Sequence, residues 1–412
     1  MLEPRLVHHV FGVPSRGQRP GDVRRVNRAT ALELLRERPQ GRADLARAMG
    51  LSKPALGSLI TDLTTEGLVL EHPPTATARG RHPAPLQVNA GRFSVLGIHL
   101  VPDGLEVGLY DALGVQQDVL YAPSQIGQGF ERVLAQVIET SHAMIARAKK
   151  LKIGQVIALT IATPGPLDSV RGIVLGPPKF PDLKGANLKL KLEQALSLPV
   201  KLERDVNAAA TGHLRQTKAS SFVYILITGP GIGASVVINR AVYRGTHGFA
   251  GEFGHTSLDP NGLACPCGNR GCLERYASAQ AIEQQYKKRT RKTATIAQIA
   301  ERARSGDPHG NAVFDAAGEA IGLAAVTLVN LFDPSKLVLA STGSSFTDLL
   351  TASLKRQLKK RAYPYLNLGA QLEIENVTLE HPVAPGAAEC VLEAIYQGEI
   401  PIPKLKTGVT MN

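Results

Sequence analysis

The chain has 412 residues, 43% of them apolar and 20% charged, an ordinary balance for a globular protein of two or three domains. No apolar run approaches the length needed to cross a bilayer, and the first twenty residues lack the continuous apolar stretch of a secretory signal, so a cytoplasmic protein without membrane insertion is expected. A net charge of +12 suggests a polyanionic partner.

Residues 1–21 read as a flexible basic arm. Residues 22–90 read as three helices followed by a hairpin, a small separate domain. The stretch 1–90 holds thirteen Lys/Arg against eight Asp/Glu, and all but one of the cations are Arg, the side chain suited to paired phosphate and base contacts. Within residues 42–59, Leu45, Ala46, Met49, Gly50, Leu51, Leu56 and Leu59 stand where a helix-turn-helix needs them: a small Ala for close crossing, Gly for the turn, apolar positions sealing the pair. Ser52 can cap the next helix, and Pro54 falls in its first turn, where a missing N–H costs little. The recognition helix is therefore expected to start at Lys53. Ser52, Lys53, Ala55, Gly57 and Ser58 would face the major groove of double-stranded DNA, with Arg79 and Arg81 of a wing entering a minor groove or touching phosphates. The apolar spacing alone would also serve an ordinary helical hairpin; the order of turn glycine, basic helix start and Arg-Gly-Arg wing favours DNA.

Beyond residue 90, strand-like segments (94–110, 156–161, 222–242) alternate with helical ones (130–150, 208–215, 278–288, 312–331), the pattern of an α/β body. Three of the four cysteines fall within eight residues, a density that in a reducing compartment points to metal rather than to disulfides. Thiolates at Cys265, Cys267 and Cys272, with the imidazole of His255 ten residues upstream, make a tetrahedral Cys₃His set for a structural zinc ion with no open position for water. Cys390 stands alone and reads as a small buried hydrophobe.

Followed along the chain, these segments resemble the ROK family of sugar kinases and sugar-responsive repressors. The likeness runs through Pro164-Gly165-Pro166-Leu167-Asp168, Glu203-Arg204-Asp205-Val206-Asn207, Gly229-Pro230-Gly231-Ile232-Gly233, the run from Arg244 to His255, and the cysteine segment. It implies a winged helix-turn-helix domain (22–90) ahead of a two-lobed actin-like, sugar-kinase (ribonuclease H-like) body: a first lobe over 91–205 completed by 387–412, and a second over 206–386 carrying the zinc. It also implies zinc at His255, Cys265, Cys267 and Cys272, and a sugar pocket including Asp205, Glu252, His255 and Glu274.

Family members that phosphorylate sugars cradle ATP phosphates in an Asp-x-Gly-Gly-Thr loop. Here that place reads Gly97-Ile98-His99-Leu100-Val101-Pro102-Asp103-Gly104, where His99 replaces the acid and Pro102 removes a backbone donor. Pro230 stands in the second phosphate loop and Ala340-Ser341-Thr342-Gly343 replaces the adenosine Gly-Gly, so no ATP is expected. Asp205, the family's general base, is expected to persist as a ligand to a sugar hydroxyl. The expected function is therefore a regulator, a repressor of sugar genes controlled by a sugar effector, with an active sugar kinase as the alternative. Arg204 stands where the family carries Asn. Its guanidinium either recognises an acidic or phosphorylated sugar or pairs internally with Glu203 or Asp205 and partly fills the pocket. A homodimer or dimer of dimers on a palindromic operator is expected, the effector closing the lobes and changing the placement of the DNA-binding heads.

Overall fold

The structure, a computed structural model, describes residues 20–73, 76–77, 80–81, 85–102, 104–176, 180–364 and 372–404. Of the arm expected over residues 1–21, only Pro20 and Gly21 are described, and they open a helix. Arg79 lies outside the described residues, and Arg81 is placed by its backbone alone.

The head contains α1 (Pro20–Glu37), β1 (Gln40–Gly41), α2 (Arg42–Met49), α3 (Lys53–Thr65), β2 (Val69–Glu71), β3 (Ala76–Thr77), β4 (Gly80–Arg81) and β5 (Pro85–Val88). β1, β5 and β2 form a three-stranded sheet in that order, and β3 pairs with β4. Gly50 ends α2 in the left-handed region at φ 64°, where a side chain would be strained. Ser52 caps α3 by accepting the Ala55 N–H, and Pro54 sits in the first turn.

The body continues with β6 (Ser94–Val101), β7 (Gly104–Asp111), β8 (Gln116–Ala122), α4 (Phe130–Leu151), β9 (Val156–Thr163), β10 (Leu167–Asp168), β11 (Ile173–Val174), α5 (Leu188–Leu196) and β12 (Val200–Arg204). Then follow α6 (Asp205–Leu214), β13 (Phe222–Ile227), β14 (Ile232–Ile238), β15 (Ala241–Tyr243), α7 (Glu274–Ala277), α8 (Ala279–Thr290), α9 (Ile296–Arg304), α10 (Pro308–Phe332), β16 (Lys336–Ser341), α11 (Asp348–Arg361), β17 (Glu373–Asn376) and the C-terminal helix α12 (Val383–Tyr396). The two five-stranded sheets repeat one plan. One has the order β12-β9-β6-β7-β8 and the other β15-β14-β13-β16-β17. In each, the first three strands form an antiparallel meander, and the fourth joins the first strand in parallel. The duplicated arrangement is that of the actin-like, ribonuclease H-like fold expected from the sequence.

Chain contacts divide the molecule into two compact units. One comprises Met1–Thr163, Asn187–Leu202 and Ala387–Asn412, the other Pro164–Ala186 and Glu203–Gly386. The segment Pro164–Ala186 thus groups with the second unit, whereas the sequence reading set it in the first lobe. The head groups with the first unit. Its buried Ala31, Leu32, Leu35 and Leu63 join one apolar cluster with Val95 and Tyr110 of the sheet and with Val391, Leu392, Ile395 and Tyr396 of α12. Inside this cluster the Arg36 side chain is fully buried, donating to Glu389 at 2.7 Å and to the Leu113 carbonyl at 2.9 Å, with its guanidinium 5.2 Å from the Tyr396 ring. Cys390 is buried on the same helix.

In the second unit, α10 corrects an expectation. By length and composition this 25-residue helix is apolar enough to span a bilayer, although the sequence reading found no such run. Its place in the unit explains the composition. Val313, Phe314, Ala317, Ile321, Ala324, Ala325 and Val329 are buried, and α11 packs so closely that a Cβ on Gly318 would stand 2.5 Å from the Leu350 carbonyl oxygen. Small and apolar residues here serve helix-on-helix packing in a protein core.

Candidate functional site

The second unit gathers the polar residues singled out in its sequence. Asp205 opens α6 and accepts its own neighbour's N–H, Val206, at 2.7 Å. Burial raises its carboxyl above the usual range, opposed by the Arg204 guanidinium and the Val206 N–H. Glu252 precedes and His255 closes a short 3₁₀ turn, Phe253–His255, and Glu274 opens α7 two residues after the last cysteine. Gly251 makes the approach possible: at φ 89° it lies so near β14 that a Cβ would stand 1.9 Å from the Ala234 carbonyl oxygen.

Contacts run from one end of this group to the other. Arg204 Nη2 lies 2.9 Å from Glu252 Oε1, Glu252 Oε2 lies 4.0 Å from His255 Nε2, and His255 Nδ1 lies 3.8 Å from Cys265 Sγ. The Cys265 thiol then donates to Glu274 Oε1 at 3.2 Å. Arg204 therefore pairs with Glu252, a partner the sequence reading did not consider. Its two named alternatives are otherwise engaged. Glu203 takes Arg244 Nε and Nη2 at 2.9 and 2.8 Å and Asn207 Nδ2 at 3.0 Å. Burial works against the Glu203 charge, yet Arg244, Asn207 and the Arg204 N–H hold its carboxyl below the usual range. Arg244 and Asn207 stood in the quoted motifs without a role. Only the fold shows that Arg244 neutralises Glu203 and that Asn207 donates a hydrogen bond to it.

The ligand atoms of His255, Cys265, Cys267 and Cys272 all lie within 4.8 Å of one another, a group able to hold a metal ion. The distances fit a tetrahedral ion. A zinc–sulfur bond of about 2.3 Å implies tetrahedral edges of about 3.7 Å, against 3.7 Å between Cys267 and Cys272 and 3.8 Å from Cys265 to His255 Nδ1. Backbone pairing shapes the loop: the Cys265 N–H donates to the Asn269 carbonyl and the Gly271 N–H to that of Leu263. Burial raises the Cys265 and Cys272 thiols. Cys267, though burial opposes it, is lowered by the Asn269 N–H and the adjacent thiols.

In the three loops whose sequences depart from the kinase pattern, flanking backbone groups pair within the protein. β6 and β7 stay paired up to Val101 and Gly104, leaving Pro102 and Asp103 as the connection, and Asp103 lies outside the described residues. In the turn after β13, the Gly231 N–H donates to Thr228 Oγ1 at 3.1 Å and the Thr228 N–H to the Gly231 carbonyl at 2.9 Å. The Gly343 N–H is taken by the Glu380 carbonyl at 3.0 Å.

On the head, Ser52, Lys53, Ala55 and Ser58 are exposed and Gly57 is partly so, while Leu56, Leu59, Ile60 and Leu63 form the buried face of α3. The arginines are less available than their number suggests. Arg28 forks onto Glu66 at 2.7 and 2.8 Å, Arg42 onto Glu71 at 2.7 and 2.8 Å, Arg24 pairs with Asp62, and Arg36 is buried. They fasten elements of the fold together.

The family model described as "ROK family" matches residues 122–392. The chain belongs to the ROK family. It is 28% identical over 360 residues to a xylose repressor of Caldicellulosiruptor bescii, covering 83% of this chain and 89% of that one. Among solved structures it is similar to a ROK family transcriptional regulator described as a homolog of the E. coli MLC protein, with TM-score 0.78, 26% identity and coverage of 92% of this chain and 98% of that one. A ROK family glucokinase from Streptomyces griseus, solved with glucose and AMPPNP, is similar over 72% of this chain and 98% of its own, with TM-score 0.62 and 27% identity.

Proposed function

We propose that this ROK protein is a DNA-binding transcriptional regulator, a repressor of genes for sugar metabolism or transport, whose body binds a sugar effector without phosphorylating it. The observation that carries the reading is the helix-turn-helix head built onto the ROK body, an organisation matched by repressors over most of their length. Ser52, Lys53, Ala55, Gly57 and Ser58 on α3 face the major groove, Arg79 and Arg81 lie in the wing, and Asp205, Glu252, His255 and Glu274 receive the sugar. Convergent carboxylates suit a ring of hydroxyl donors.

Zinc is the resident ion of this reading, held by His255, Cys265, Cys267 and Cys272. It would supply structure: four protein ligands leave no position for a reacting water. His255 then faces Glu252 with its other nitrogen, the second-sphere pairing that fixes a ligand ring. The protein works in the cytoplasm as a homodimer or dimer of dimers on a palindromic operator.

Selecting genomic fragments with the zinc-loaded protein, with and without a sugar panel, tests the reading. A common palindrome whose retention changes with one sugar is the expected result, and retention of random duplex alone contradicts it. The second reading, a sugar kinase, draws on the retained Asp205 and the likeness to a glucokinase. Against it stand Pro102, the self-paired turn at Thr228 and Gly231, and the Gly343 N–H spent on the Glu380 carbonyl, which leave few backbone donors for phosphate. Sugar-dependent ADP release from magnesium ATP would revive it.

A further inference from the structure

Among the described residues, Arg204 is the one strongly basic side chain set against Glu252, and its surroundings define what it can recognise. The side chain is 4% exposed. A planar guanidinium offers two forks to a carboxylate or phosphate, one from Nη1 and Nη2 and one from Nε and Nη2. The first is spent on backbone: Nη1 donates to the Ala250 carbonyl and Nη2 to that of Gly251 at 3.4 Å. The second is covered. Glu252 Oε1 stands 2.9 Å from Nη2, Nε is shielded from water without a hydrogen-bond partner among the described residues, and a Cβ built on Gly165 would lie 3.1 Å from Nε and 3.3 Å from Glu252 Oε1. An anion therefore finds no open edge. Among the described residues, the guanidinium's hydrogen bonds go to the Ala250 and Gly251 carbonyls and its ion pair to Glu252, whose Oε1, like Nε, is buried without a hydrogen bond.

We infer that Arg204 is a positioning residue that locks the Glu252 carboxylate in place for a neutral, polyhydroxylated sugar, and that the pocket discriminates against acidic and phosphorylated sugars. This rests on reading the pocket as the effector site. Glu252 Oε1 is turned to the guanidinium, and Oε2, on the side of His255 Nε2, is the oxygen left to accept a hydroxyl. With Asp205 and Glu274 it offers acceptors only, which suit hydroxyl donors and repel a second anion. The salt bridge supplies what a short amide at this position could not: a charged brace that holds one carboxylate oxygen while leaving the other exposed.

Calorimetry on the full-length, zinc-loaded protein tests the inference with D-xylose, D-glucose and N-acetylglucosamine beside glucuronate and glucose 6-phosphate. At least one neutral sugar is expected to bind, at least about tenfold tighter than either anion. Arg204→Gln should weaken that sugar about tenfold, whereas in a Glu252→Gln background the same change should matter less than about twofold, because its route runs through Glu252. If Arg204→Gln loses its zinc or its fold, Arg204→Lys, which keeps the charge without the fork, is read in its place. Tighter binding of an anionic sugar, abolished by the Arg204 change, overturns the inference and leaves the pocket standing. An equal loss in both backgrounds reduces Arg204 to general structural support and also overturns it. Failure of every sugar to bind the native protein removes the pocket reading itself.

Discussion

Glu106 lies on β7 opposite His99 of β6, and burial pushes its carboxyl up to about 7, against a hydrogen bond with Tyr121 that lowers it. A folded value above the ordinary one makes the proton part of the folded state. The contribution is fully present below the ordinary value of 4.5 and is lost as pH climbs through about 7. Urea unfolding of Glu106→Gln should therefore show it more stable than the native chain at pH 8, by about 2 to 3 kcal/mol, with the gap closing near pH 5. On the head, Lys53 is exposed at the start of α3. Lys53→Ala should weaken all duplexes alike and reduce the salt dependence of binding by about one phosphate contact, read from a titration over salt concentration. The His255–cysteine cluster was legible in sequence because its three thiols lie within eight residues and the turn between them is local. The Arg204–Glu252 pair was not, since a charged side chain's partner is chosen by the fold, here 48 residues away. For the same reason the arginine excess of the head was over-read, since Glu66 and Glu71 claim residues that composition assigns to DNA.

At the scale of elements, helix starts and stops were the most readable features. Gly50 and Ser52 end α2 and begin α3 as their backbone preferences require. Gly50→Ala, forced to keep φ at 64°, should cost about 1 kcal/mol in thermal unfolding. The attachment of the head was not readable, because it depends on a buried ion pair between α1 and α12 whose members are 353 positions apart. Arg36→Ala leaves Glu389 without its buried counter-charge and should destabilise the first unit by about 3 to 5 kcal/mol, whereas Arg36→Met with Glu389→Leu should recover most of that loss. Urea titration of the single and double variants separates an unpaired charge from lost packing. The apolar run of α10 was underestimated because its period is blurred: when a helix is covered by several neighbours, small and apolar residues surround it on most sides.

For the molecule as a whole, the duplicated strand order was implied by family likeness and by the alternation of strands and helices, which fixes a fold class but not which strands pair. The boundary between units was least accessible, since Pro164–Ala186 leaves the first lobe and returns at Asn187. Removing the metal should act selectively. Chelation is expected to abolish the sugar response and lower the melting temperature of the second unit, while duplex binding by the head persists in gel-shift measurements. The apolar cluster joining Ala31 and Leu35 to Val391 and Tyr396 has a further consequence in time. A ribosome makes the head before α12, and at roughly 5 to 20 residues per second the interval between them is on the order of tens of seconds. During that interval α1 lacks the surface on which it is packed in the finished chain, and Arg36 has no Glu389. The head is thus seated only once α12 has been made, so a chain stalled before α12 leaves the head without its packing surface.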